Sequence, residues 1–138
     1  MRVLVCGSRF YTDRDHVHNE LCRLDHERGP FTRIIHGGAT GADNEAMLWA
    51  QMMAESGRDI KHIPFVAEWF KYGKAVAGSI RNQRMIDEGK PNLVIAFPGG
   101  TGTADMKHKA RIARIEVIEI AGRPISEFVN DNYKSVRL

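Results

Sequence analysis

The sequence predicts an α/β fold in which a mainly parallel β-sheet is covered by helices on both faces. Three observations carry this. Short apolar β-rich runs alternate with stretches of helical periodicity, as in chains of βα units. The runs are continuously apolar rather than alternating, as strands buried on both faces are. Seven of the 13 glycines stand directly after such runs, where open α/β sheets bind ligands.

The first strand is Val3 to Cys6, followed by Gly7-Ser8-Arg9. The first helix repeats Val17, Leu21 and Leu24 on one stripe. A second strand, Arg33 to His36 around Ile34-Ile35, leads into His36-Gly37-Gly38-Ala39-Thr40-Gly41-Ala42-Asp43. The next helix places Ala42, Ala46, Trp49, Ala50 and Met53 on one face, and Thr40-x-x-Asp43 reads as a capping box at its start. The third strand is Ile60 to Phe65. A shorter helix is expected after Gly78-Ser79, with Ser79 as its N-cap, ending near Gly89. The fourth strand, Leu93 to Phe97, precedes Pro98-Gly99-Gly100-Thr101-Gly102-Thr103. A last helix carries Met106, Ala110 and Ala113, and a fifth strand runs from Ile115 to Ile120. Residues 1–120 thus form one expected domain. The polar, weakly patterned tail 121–138 packs on it or flanks it.

Composition narrows the classes. At 138 residues the chain fits one compact domain that needs no disulfide or metal staple. The longest apolar runs, Leu93–Phe97 among them, fall far short of the roughly 20 residues that span a bilayer. No secretory pattern opens the chain, so a cytoplasmic location is the expectation. Cys6 and Cys22 form no CxxC and are expected to be small buried hydrophobes. The histidines show no metal-ligand spacing, and neither a metal nor a cofactor is expected. Twenty Lys and Arg against 17 Asp and Glu give +3, a small excess. Residues 67–114 hold nine Lys and Arg against four Asp and Glu, so the positive charge is concentrated around the last glycine loop. That placement suits an anionic ligand.

Two loops have the chemistry of an anion cradle. Glycines allow positive φ and close backbone approach, and amides then converge at a helix start. In Pro98-Gly99-Gly100-Thr101-Gly102-Thr103 two threonine hydroxyls are added, and phosphate binding is the favoured reading. Gly37, Gly38, Thr40 and Gly41 form the second loop, with Asp43 close by. Neither loop is followed by Gly-Lys-Ser/Thr, which removes the main support for a kinase or ATPase. Neither is a GxGxxG with an acidic residue about 20 positions on, so ordinary NAD binding is also disfavoured. Between the loops, Trp69, Phe70 and Tyr72 offer flat faces for a base, and Lys71, Lys74, Arg81 and Arg84 offer charge. Arg81, expected at a helix start near the strand rim, is the preferred ligand-facing cation because a planar guanidinium matches phosphate geometry. His36 lies at the same rim, where a structural role competes with a functional one. Asp43, Glu45 and Asp105 are the nearby carboxyls for acid–base work or ribose binding.

Taken together, the Val-Leu-Val-Cys-Gly-Ser-Arg opening, the His36–Asp43 loop, Gly78-Ser-Ile-Arg-Asn-Gln-Arg-Met85 and Pro98–Met106 resemble the YspA/YpsA-related branch of the SLOG superfamily. That superfamily also holds the Lonely Guy nucleotide hydrolases and the Smf/DprA DNA-processing proteins. The resemblance covers residues 1 to about 120 and implies a Rossmann-like three-layer fold that binds nucleotides or nucleotide-derived ligands. With the reading of the loops above, the expected ligand contacts are Gly7, Ser8, Arg9, Gly37, Gly38, Thr40, Gly41, Asp43, Trp69, Arg81, Asn82 and Pro98 to Thr103. The Lonely Guy enzymes cleave the N-glycosidic bond of a nucleoside monophosphate, with Arg-Lys-x-x-Met and Pro-Gly-Gly-x-Gly-Thr-x-x-Glu as paired signatures. Arg81 and Met85 match the first, with Asn82 in place of lysine. Pro98, Gly99, Gly100, Gly102 and Thr103 match the second, but its closing glutamate falls on Met106. A thioether cannot stabilise an oxocarbenium-like transition state as a carboxylate does.

Three functions remain open at the level of sequence. The first is a SLOG-type sensor or processing protein for a nucleotide-derived small molecule. The second is an N-glycosidase using Arg81 and Asp105, or another carboxyl in its place. The third, single-stranded nucleic-acid binding by analogy with the DNA-processing relatives, is permitted by the basic, aromatic segment but not favoured. The resemblance also implies a homo-oligomer; periodicity reads the helix face of Trp49, Met52 and Met53 either as core or as a dimer surface. No membrane partner is expected.

Overall fold

A computed structural model describes residues 1–123, and the tail from residue 124 onward lies outside the described residues. Five strands form one sheet: β1 (Arg2–Cys6), β2 (Arg33–His36), β3 (Lys61–Pro64), β4 (Leu93–Ala96) and β5 (Glu116–Glu119). Their spatial order is β3-β2-β1-β4-β5, and every pairing is parallel. Val3 of β1 lies between Ile34 of β2 and Leu93 of β4, which makes β1 the central strand.

Successive residues of the central strands point to opposite sides, so one apolar run supplies two cores. On one face Val3, Val5, Ile34, Leu93 and Ile95 pack against helices α1 (Arg14–Arg28) and α2 (Ala42–Glu55) through Val17, Leu21, Ala46 and Trp49. On the other, Leu4, Cys6, Ile35, Val94 and Ala96 meet Met85 and Ile86 of α4 (Lys74–Asp87) and Met106 and Ala110 of α5 (Thr101–Ile112). The architecture is therefore three-layered and Rossmann-like. The two edge strands are short and carry exposed Lys61, Glu116 and Glu119, charges that discourage edge-to-edge pairing.

Two expectations about the elements change. The third long helix, α4, begins at Lys74 rather than after Ser79, and its N-cap is Gly73, at φ 77°. Gly78 and Ser79 lie inside it, because the packing of Ala77, Met85 and Ile86 outweighs the weak helix propensity of one glycine. The Ser79 hydroxyl accepts a hydrogen bond from Lys109 Nζ at 2.7 Å instead of capping. A one-turn helix α3 (Trp69–Tyr72) precedes it, with no buried residue to make a readable pattern. Cys22 also departs from expectation. It is exposed, and Trp49 Nε1 donates to its sulfur at 3.2 Å, whereas Cys6 is buried. Trp49 itself is 1% exposed and belongs to the core, so Met52 alone of the supposed dimer face is an exposed large apolar side chain.

The first three residues of the tail are tied down. His16 Nε2 lies 2.9 Å from the Ala121 carbonyl oxygen, and Arg123 Nε donates to buried Asp13 at 2.7 Å. Asp13 also caps α1 by accepting from the His16 amide.

Candidate functional site

The chain builds the sheet outward from β1 to β3, then returns to place β4 on the other side of β1. A crevice opens at such a reversal, outside the carboxyl ends of the strands. The segments after β1, β2 and β4 meet there, with Ser8 as the joint. Its amide donates to the Pro98 carbonyl at 2.8 Å, and its carbonyl accepts from Tyr11 and Ala42 at 3.1 and 3.2 Å. Gly41 makes this closeness possible. It sits at φ 74°, and a Cβ there would collide with the Ser8 carbonyl oxygen.

The two glycine loops look alike in sequence and differ in their hydrogen bonding. In the loop after β2 the first three amides, those of residues 37–39, are occupied. Gly37 and Ala39 donate to Asp43 Oδ2 at 3.0 and 3.3 Å, and Gly38 donates to His36 Nδ1 at 3.0 Å. The expected capping box is not formed. Gly41 is the N-cap of α2 without a side-chain cap bond, and the Thr40 hydroxyl donates to the Arg9 carbonyl at 3.0 Å. Asp43 and Glu45 already place negative charge in the first turn of α2.

The loop after β4 is different. The backbone N–H groups of residues 99–103 have no partner among the described residues, and the first helical bond is Ala104 N–H to the Gly100 carbonyl. Gly100 caps α5 without a side-chain bond, and no acidic residue stands in its first turn. The glycines here do not use positive φ, contrary to expectation; among the described glycines Gly38, Gly41, Gly57 and Gly73 do. Their role is space. A Cβ on Gly99 would collide with the Thr103 side chain, while positions 100 and 102 face open space. Residues 99–102 are exposed, Thr103 is buried and Pro98 is half-buried. An anion at these amides would meet an uncompensated helix N-terminus.

Arg81 and Asn82 of α4 link the two loops. Arg81 Nη1 donates to the Gly37 carbonyl at 2.7 Å and Nε to Asn82 Oδ1 at 3.1 Å. Asn82, 4% exposed, donates to the Gly102 carbonyl at 3.1 Å and to Asp105 Oδ2 at 3.0 Å. The residue that replaces lysine is thus a neutral pin between α4 and the start of α5. Asp43 faces the same region. Burial raises its carboxyl to about 6, against the opposing pull of the Ala39 amide, the Arg81 charge and the Gly37 amide. Burial likewise lowers the Arg81 guanidinium, and the Asp43 charge opposes it. The Cys6 thiol behind them is pushed up to about 12 by burial and by Asp43, so it carries no thiolate at neutral pH.

Other expected site residues sit in different settings. The Asp105 carboxylate is held by Lys109 Nζ at 2.6 Å as well as by Asn82. Partial burial works upward on it, but these bonds prevail and keep it below the usual carboxylate range. The i, i+4 spacing of Asp105 and Lys109 was a readable signal for that pair. Met106 is 1% exposed and part of the core, so the position of the signature glutamate holds no ligand-facing group. Glu45 pairs with Arg14 at 2.7 Å on the α1 side. His36 is buried, with Nε2 3.0 Å from His62 Nδ1 and Nδ1 accepting from Gly38. The Gly38 bond leaves Nε2 as the protonated nitrogen of His36. Trp69 is half-exposed on α3, and Arg9 is exposed over the Phe10 ring. No group of three or more His, Cys, Asp or Glu gathers in metal-binding fashion among the described residues. No helix among them is long and apolar enough to cross a membrane.

Comparison with known proteins agrees with this architecture. A family model described as the YspA, cpYpsA-related SLOG family matches residues 1–72. Gene 61 protein of Mycobacterium phage D29 is 37% identical over 126 residues, covering 89% of this chain and 98% of that protein. No solved structure matches. The family match takes in the β1 loop and the whole Gly37–Asp43 loop, and the phage relative extends the likeness through most of the remainder: the chain belongs to the YspA, cpYpsA-related SLOG family.

Proposed function

We propose that this protein binds a nucleotide or nucleotide-derived ligand, with a phosphate on the amides of residues 99–103. The observation that carries the reading is the run of backbone N–H groups without partners at an uncapped, acid-free helix start. Arg81, held at the crevice by Gly37 and Asn82, supplies the nearby positive charge. Membership of the SLOG family supports the same ligand class. The sugar and base then lie toward Ser8, Arg9 and Asp43.

Gly102→Asp tests this. Position 102 has open space and lies within α5, so an aspartate is tolerated there, and negative charge favours a helix N-terminus. The apo protein is expected to keep or gain stability. Nucleotides identified by mass spectrometry of the denatured wild-type preparation should no longer bind the variant. A ligand at 100 times its Kd should stabilise the wild type by about 2.7 kcal/mol and the variant hardly at all. Equal stabilisation of both would end the reading.

A second reading, N-glycosidase activity on a nucleoside monophosphate, is favoured by one observation. Asp43 is a buried carboxyl beside Arg81 whose proton is held to about pH 6, the range of a general acid. Asp105 lacks that property. Release of free base, lost in Asp43→Asn while ligand binding persists, is the expected result. No release across purine and pyrimidine monophosphates would leave the binding reading alone.

A further inference from the structure

Beside Arg81 lies a cavity of about 220 Å³ between α3, α4 and the segment after β3, its Val66 wall close to Gly38 of the loop after β2. Whole-ligand pockets run to roughly 300–1,000 Å³, so this one has room for a single group. Its walls bring Lys71, Arg81 and Arg84 against one carboxylate, Glu68. Val66 and Ile80 give it an apolar side, and Tyr72 an aromatic one.

Both guanidiniums are oriented by protein contacts that leave donors over. Arg81 uses Nε and Nη1 on Asn82 and Gly37, and its Nη2 has no hydrogen bond among the described residues. Arg84 is held through Nε by Glu88 at 2.7 Å and lies over the Phe65 ring, 5.5 Å from its centroid. Its two terminal nitrogens make no hydrogen bond among the described residues. The i, i+3 spacing puts both arginines on one face of α4. Glu68 lies 3.8 Å from Lys71 and offsets that charge only in part, because both side chains are more than half exposed. A solvated basic helix face would have neither the concavity nor oriented guanidiniums with donors to spare.

We propose that this cavity is a second anion site, holding a further phosphate of the ligand bound at the amides of residues 99–103. The inference rests on the nucleotide reading for the identity of that first anion. Arg81 lines the cavity, and the next residue, Asn82, touches the Gly102 carbonyl, so consecutive residues of α4 border both sites. The substrate class is then a nucleotide with phosphate at two points, not a simple monophosphate.

The test is titration of the full isotope-labelled chain with inorganic phosphate, followed residue by residue by NMR. Sodium chloride at matched ionic strength serves as reference. Two responses are expected, one at residues 99–103 and one at residues 71–84. Lys71→Ala combined with Arg84→Ala, the one exposed, the other half-buried and both outside the cores, should weaken the second response about tenfold or more and spare the first. Lys74→Ala, which removes a neighbouring cation that does not line the cavity, should change neither. Gly102→Asp should remove the first response alone. The inference is overturned if residues 71–84 do not respond, or if their response survives the double variant or falls equally with Lys74→Ala. A wild-type response at residues 71–84 with none at 99–103 would instead count against the nucleotide reading.

Discussion

Asp43 and His36 flank the same short loop and titrate in opposite senses. Burial raises Asp43 from 3.8 to about 6, so the folded protein holds that proton more tightly than the unfolded chain. Its contribution to stability is full below about pH 4 and is lost as pH rises through 6. Burial, with the neighbouring His62, lowers His36 from 6.5 to about 4. Its contribution is full above about 6.5 and is lost as pH falls toward 4. Between these limits the two slopes partly cancel. Asp43→Asn removes one of them, so its stability should climb with pH across this window more steeply than that of the wild type. The difference between variant and wild type should grow by an amount on the order of 1–3 kcal/mol from pH 4 to 7. Urea denaturation at a series of pH values measures it, and parallel profiles would contradict the assignment.

At the scale of the element, α4 shows how tertiary packing overrides local preference. Gly78 and Ser79 suggest a break, yet one helix runs through them from Lys74 to Asp87. Gly78 has a negative φ, and a Cβ there would make ordinary contact with the Trp69 ring at 3.8 Å. Gly78→Ala is therefore expected to stabilise the protein by about 0.5–1 kcal/mol, read from the denaturation midpoint at unchanged m-value. A loss of stability would mean that α4 needs flexibility at that turn. The neighbouring Asn82 illustrates a different limit. Its departure from the signature was visible in the sequence. Its pairing with Gly102 and Asp105 was not, because both partners lie some 20 residues away.

For the whole molecule, the strand order settles which residues meet. The alternation of apolar runs and helical stripes made the three layers legible, because a parallel strand covered on both faces must be apolar throughout. The same patterning placed Met106 on a core stripe and also at the signature's glutamate. Burial at 1% shows which assignment governs. Met106→Glu should therefore cost on the order of 3 kcal/mol or more, by forcing a carboxyl into the apolar layer between β1, β4, α4 and α5. It should bring no base-releasing activity. Met106→Leu should cost less than about 1.5 kcal/mol, which separates volume from polarity. A stable, active glutamate variant would show that α5 can turn that position toward the crevice.

Strand and helix existence, the apolar faces and the glycines at strand ends were determined by the sequence alone, since they follow from local spacing and residue type. The tertiary structure decided which of two similar glycine loops keeps its amides free. In the loop after β2 those of residues 37–39 are taken by Asp43 and His36, and in the loop after β4 all five from 99 to 103 are left open. That difference rests on the direction of side chains and on contacts between segments distant in the chain. Residue spacing does not encode such contacts; the strand order creates them.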